Sequence, residues 1–261
     1  MSVKPTPIHK KKMSIIQLVN QSEDVSEIEL EMIAQAIQIQ LKRDFGPAYR
    51  RDFNDFSIAT IDPKVPCEKA FIVKTPPKDE DGVEGFHYLN DDGTPAIVVF
   101  TDPVLQNGGS VLNGPNSVSI TASHEFCEDA EDKLTNLWLD TGNKLVDPHG
   151  KPWKEVSDET CDPVEDQYYD IDVNGIKVSV SNFILPDWSN INIASAKRDF
   201  LGKLPQDKPF GMSQNGYLIV RDRPGHELDI FAETYPTWKL DKKRSRFSRS
   251  YRRRKLKEQQ A

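Results

Sequence analysis

The stretch T-A-S-H-E-F-C-E-D-A-E-D, Thr121 to Asp132, decides how the rest of the chain is read. Val118, Ala122, Phe126, Ala130, Leu134 and Trp138 recur at four-residue steps, which predicts a helix from about Pro115 to Trp138 with one apolar stripe packed on a sheet. Pro115 suits the first turn, where its missing N–H would have no intrahelical partner. His124, Glu128 and Asp132 lie roughly opposite the stripe. Four residues apart on a helix, His124 and Glu128 stack on one face and can reach the same ion, with Glu125 beside them.

That spacing carries a known chemistry. In H-E-x-x-H hydrolases the two ligands hold zinc, while the Glu after the first works as general base on water. Here Glu128 stands at the second ligand position, giving H-E-x-x-E. A carboxylate oxygen is an acceptable zinc ligand, but the set is less zinc-selective and leaves manganese or iron open. The competing reading is a solvated helix face, because 29% of the residues are charged and a His–Glu pair at helical spacing arises readily by chance.

A further ligand has to come from elsewhere, and E-T-C-D-P-V-E, Glu159 to Glu165, offers one. Glu159 is the first choice, which would leave an open water position on a three-ligand metal. Asp162 is either a ligand or the group that orients His124. Cys161 is an alternative ligand, although an isolated Cys is more often a small buried hydrophobe. His149, in D-P-H-G, reads as a loop histidine. Asp132 reads as a supporting carboxylate or a solvated acid.

Outward from these segments the chain reads as α+β. Ile28, Met32, Ile33, Ala36, Ile37 and Leu41 predict a helix from Ser26 to Phe45, with Ser26 and Glu29 as a capping box and Gly46-Pro47 as its stop. Phe56 to Ile61, Ala70 to Lys74 and Ala96 to Thr101 read as strands, and the acidic stretch Lys78 to Asp92 as a surface loop. Thr141 to Pro163 reads as irregular. Tyr168 to Val173 and Ile176 to Ser181 flank Asn174-Gly175, which supplies the positive φ angles of a tight hairpin. From Pro186 to Thr237 only scattered strands are expected.

The 261 residues carry 34 Lys plus Arg against 41 Asp plus Glu, a formal charge of −7. From Lys239 to Ala261 there are 11 basic and 2 acidic residues, a local +9, so the first 238 residues hold 23 basic against 39 acidic, or −16. That tail predicts an unstructured segment in which Arg244, Arg246, Arg249, Arg252, Arg253 and Arg254 favour nucleic-acid phosphates or an acidic protein surface. Contact with the acidic body or a neighbouring subunit accounts for it equally well. No run approaches the ~20 apolar residues of a membrane helix. With three cysteines and no apolar segment behind the charged N-terminus, a reducing, cytoplasmic setting is expected.

Five strings in order resemble a bacterial and phage family of zincin-like proteins inferred to be metallopeptidases. They are A-I-Q-I-Q-L-K-R-D-F-G-P (Ala36 to Pro47), T-A-S-H-E-F-C-E-D-A-E-D-K (Thr121 to Lys133), E-T-C-D-P-V-E (Glu159 to Glu165), Y-D-I-D-V-N-G-I-K-V-S-V-S-N-F-I-L-P (Tyr169 to Pro186) and N-G-Y (Asn215 to Tyr217). The resemblance implies a zincin-like domain with a mixed sheet under the site helix and one divalent metal, zinc first, for amide hydrolysis in a peptide or protein. It implies His124 and Glu128 as ligands, Glu125 as general base, and Glu159 or Asp162 as the remaining carboxylate. Lys133, Asp129 and the stretch near Val180 depart from the family pattern. The expected organisation is an extension over 1–22, the domain over 23–238 and the tail over 239–261. The alternative is a non-catalytic structural or interaction protein, a phage virion component among the options, that acts through its tail.

Overall fold

The computed structural model describes residues 14–78, 82–90, 92–165, 167–194, 196–223 and 226–232. The tail arginines and the N-terminal 13 residues lie outside them. The chain is α+β. Residues Ser14–Gln21, inside the span expected as an extension, form strand β1 within the main sheet. Its inward residues Ile16 and Leu18 alternate with partly exposed ones, the period of a pleated strand with one deeply buried face.

Helix α1 (Glu27–Ile39) starts at the expected capping box, with both Ser26–Glu29 bonds present. Ile33, Ala36, Ile37 and Leu41 are buried, whereas Ile28 in the first turn is exposed. Gly46-Pro47 does not stop it. A π-turn (Gln40–Phe45) leads into α2 (Gly46–Tyr49), which ends only at Arg50, φ 54°. Glycine is needed at 46 for space, since a Cβ there would stand 2.9 Å from the carbonyl oxygens of Leu41 and Arg51.

Strands β2 (Phe56–Ala59), β3 (Glu68–Val73), β4 (Gly85–Leu89) and β5 (Pro95–Phe100) complete a five-stranded sheet in the order β2-β1-β3-β5-β4. Every pairing is parallel except β4 with β5, which a short turn joins antiparallel. The stretch Lys78 to Asp92 is therefore not simply a surface loop: it contains the edge strand β4. A short α3 (Thr101–Gln106) precedes the central helix α4 (Val118–Glu131). Helix α4 stops seven residues before the expected Trp138. The Asp132 carboxylate accepts the backbone N–H groups of Asn136 and Leu137 at 2.9 Å and turns the chain away. Leu134 is consequently exposed and Trp138 starts β6 (Trp138–Asp140).

The part expected to be irregular holds β7 (Glu155–Ser157), and a second, antiparallel sheet runs β11-β10-β7-β6, with β10 Tyr217–Arg223 and β11 His226–Phe231. The hairpin of β8 (Tyr168–Val173) and β9 (Ile176–Ser181) forms as expected, with Asn174 and Gly175 at φ 54° and 85°. It packs Val178 and Val180 beside Ala36 of α1. The main core joins α1, the sheet and the Val118, Ala122, Phe126 side of α4. Among the described residues no helix is long and apolar enough to cross a membrane.

Between β9 and β10 the backbone has little regular structure, and a buried arginine organises it. Arg198 is 1% exposed and its guanidinium donates to the carbonyl oxygens of Asp187, Asn190, Ile193 and Gln206. Hydrogen bonds from a charged donor are worth more than neutral ones, and removing the buried guanidinium takes all four from the surrounding loop at once. Arg198→Met is expected to lower unfolding stability by about 3 kcal/mol or more. Ser26→Ala, which loses only a surface cap, should cost about 1 kcal/mol. Urea denaturation checks both, and equal midpoint shifts would show that the arginine does not hold this region together.

Candidate metal centre

Helix α4 is buried on every side: each residue from Val118 to Asp129 lies in the interior. That removes the solvated-face reading of His124, Glu125 and Glu128, whose exposures are 9%, 4% and 0%. The helix fits because short hydroxyl side chains replace bulk on the side toward β9. Ser123 Oγ accepts the Ser181 N–H at 2.6 Å and donates to the Ile120 carbonyl, while Ser119 Oγ lies 2.7 Å from the Ser179 carbonyl. Ser117 caps the start of the helix by accepting the Ile120 N–H at 3.3 Å.

Two further elements bring side chains to α4. Past β7 the chain carries Glu159 (2% exposed) and Asp162 (1%). The segment is pinned where the Ile184 N–H donates to the Thr160 carbonyl at 2.7 Å and the Cys161 N–H to Glu128 Oε1 at 3.3 Å. From the opposite side, β4 delivers His87, a residue that the sequence reading did not single out. Along β4 only His87 is buried, at 3%, between Phe86 and Tyr88 on the other face. Its sequence signal is weak, a lone histidine in an alternating Phe-His-Tyr string.

The six side chains converge. His124 Nε2 lies 3.2 Å from Glu128 Oε1 and 3.1 Å from Asp162 Oδ1. His87 Nδ1 lies 3.5 Å from Glu125 Oε2 and 3.7 Å from Glu128 Oε2, and His87 Nε2 is 3.9 Å from Glu159 Oε2. Donors bound to one ion at about 2.0–2.2 Å in a tetrahedral array stand about 3.4 Å apart, so these separations suit a shared cation. Two sets have donor atoms all within 4.8 Å of one another: His124, Glu125 and Glu128, and His87, Glu128 and Glu159. These buried groups could hold a metal ion.

Of the residues expected from sequence, His124 and Glu128 lie in contact, with Glu125 beside them. Glu159 arrives too, but in the set that contains His87. Asp162 bonds His124. Asp132 is buried and shapes the turn after α4. Cys161 is a core residue, fully buried in the same apolar cluster as Cys127, and burial pushes its thiol pKa well up. His149 is exposed in a loop.

The electrostatics match a cation-seeking site. Burial by itself would lower the His124 pKa, but the Glu128 carboxylate and the bond to Asp162 outweigh it and hold the imidazole well above its ordinary range. Burial also lifts the flanking acids, Asp129 to about 6 against the pull of Lys133, and Asp158 to about 7 with Glu131 and Asp132 adding to the effect. Comparison with protein families, curated proteins and solved structures yields no match for this chain.

One glycine sets the distance between β4 and α4. A Cβ on Gly85 would stand 2.9 Å from Thr121 Cγ2, 3.1 Å from the Val98 carbonyl oxygen and 3.2 Å from Glu125 Cγ. Gly85→Ala therefore pushes β4 away from the helix while leaving every donor in place in the sequence. The expected result is a folded protein whose divalent-metal affinity falls at least tenfold by isothermal titration. Unchanged affinity would mean that the β4–α4 spacing does not govern the site.

Proposed function

We propose that the chain is a metal-dependent hydrolase of zincin-like type that cleaves an amide bond, in a peptide or protein. The observation that carries this reading is the buried meeting of His124, Glu125 and Glu128 on one helix with carboxylates from the loop after β7. Imidazole nitrogen and carboxylate oxygen form a donor set that zinc accepts, with manganese and iron as alternatives. His124 and Glu128 would hold the ion, with Asp162, 3.1 Å from the same His124 nitrogen, as the nearest further carboxylate, while Glu159 meets Glu128 on the His87 side.

When bound, the metal supplies a Lewis acid that polarises the scissile carbonyl and makes water acidic enough to attack near neutral pH. The protein's own groups do the remaining work. Glu125 takes a proton from the attacking water and passes it to the leaving nitrogen, the role of a carboxylate within reach of both. His87, 3.5 Å from Glu125 Oε2, helps fix that carboxylate. Asp162 fixes the His124 ring by its bond to Nε2 in the ion-free arrangement. An ion taking Nε2 would replace that bond and meet Asp162 Oδ1, 3.1 Å from the same nitrogen, as a further candidate ligand.

The +9 segment from Lys239 to Ala261 supports a second role in binding nucleic acid or an acidic protein surface, independent of the centre. Glu125→Gln separates the two readings. It is expected to retain metal yet lose at least 10²-fold of the hydrolysis of a quenched-fluorescence peptide pool, the scale of general-base loss. Deleting the tail should leave that rate unchanged. Wild-type, metal-loaded protein that cleaves no member of the pool, or Glu125→Gln protein that cleaves at the wild-type rate, would defeat the peptidase reading.

A further inference from the structure

A single ion needs three protein donors and an open position, whereas six side chains from three elements meet here. We propose that the centre is dinuclear: two divalent cations share the Glu128 carboxylate, one beside His124 and the other beside His87 and Glu159. This rests on metal binding at α4, as in the hydrolase reading, and adds a second site to it.

Three observations point the same way. First, the two donor sets have different histidines and share only Glu128. Second, the two oxygens of Glu128 face different imidazoles, Oε1 toward His124 Nε2 at 3.2 Å and Oε2 toward His87 Nδ1 at 3.7 Å. A carboxylate whose oxygens face two ligand histidines has the geometry of a bridge, and such bridges hold paired ions about 3.5–4 Å apart. Third, the charge count favours two dications. Glu125, Glu128, Glu159 and Asp162 bring four negative charges into the interior, all at 4% exposure or less. With the four carboxylates ionised and the His124 proton displaced on metal loading, one dication leaves a net −2 on the set and two bring it to zero, and buried net charge is costly. The mixture of imidazole and carboxylate suits zinc, manganese or iron at both positions.

Metal stoichiometry decides the matter, read on the full chain stripped with chelator and reloaded with Zn²⁺ or Mn²⁺. The expected result is two equivalents per wild-type chain by elemental analysis, and an exchange-coupled electron paramagnetic resonance signal for the Mn²⁺ form. His87→Ala and the nearly isosteric Glu159→Gln should each bind one equivalent and give an uncoupled six-line Mn²⁺ signal. Circular dichroism establishes that both fold, and Glu159→Gln carries the test if His87→Ala does not. One equivalent in wild type, unchanged by either substitution, would overturn the second site and leave the α4 site standing. One equivalent that His87→Ala abolishes would also overturn it, placing His87 in a single site. No bound metal in wild type would defeat both readings. Two equivalents without peptide cleavage would keep the dinuclear centre and remove the hydrolase.

Discussion

Glu128 is fully buried, and its carboxylate touches three separate parts of the chain: His124 one turn back on α4, His87 on β4 and the backbone N–H of Cys161 in the loop after β7. A charge in that position is tolerable only when its surroundings are fixed, because an uncompensated buried carboxylate costs several kcal/mol, on the order of the whole stability of a domain. The rest of the fold can be understood as what holds those three parts at their distances. The parallel strands β1, β3 and β5 lie in the middle of the sheet and supply a rigid floor with α1 packed on it. Strand β4 returns antiparallel at the edge, beside α4, where its single inward side chain reaches the helix.

The approach of α4 to its neighbours depends on small residues. Gly85 lets β4 come close to Thr121 and Glu125, and Ser119 and Ser123 let β9 bond directly to the helix. Larger residues at these points would bury more apolar area but hold the polar groups apart. The apolar face of α4, with Val118, Ala122 and Phe126, supplies the hydrophobic anchorage. One helix thus splits its work between a packed face and a chemical face. A cation bound to the folded centre alone would add its binding free energy to that anchorage.

What the sequence disclosed follows from the range of each signal. The capping box at Ser26, the hairpin turn at Asn174-Gly175 and the pairing of His124 with Glu128 are set by neighbours within a few residues, and all three are found in the fold. The segment Glu159 to Glu165 was readable as a donor of carboxylates, but not the side from which Glu159 would arrive. His87 was missed because its place depends on a sheet edge, and β4 lies in an acidic, glycine-containing stretch whose composition resembles a loop. The end of α4 was missed because the four-residue apolar stripe runs on through Leu134 and Trp138, whereas an unforeseen bond from Asp132 stops the helix. Likewise β1 carries its alternation, but its role as an inner strand depends on pairing with the distant β2 and β3.

The exchange of His for Glu at position 128 acquires a different meaning once β4 is in place. Judged along α4 only, the carboxylate is a less zinc-selective substitute for imidazole. Across the fold it does something an imidazole could not. A histidine at this position would direct one nitrogen at the ion beside His124, and its second nitrogen, on the far side of the ring, would normally be held by a hydrogen bond. A carboxylate has two equivalent oxygens about 2.2 Å apart, both acceptors, and can serve a cation with each. In this chain Oε1 faces His124 and Oε2 faces His87. The H-E-x-x-E spelling and the inward histidine of β4 therefore belong together. The first would provide a ligand open on two sides, and the second stands on the side away from His124.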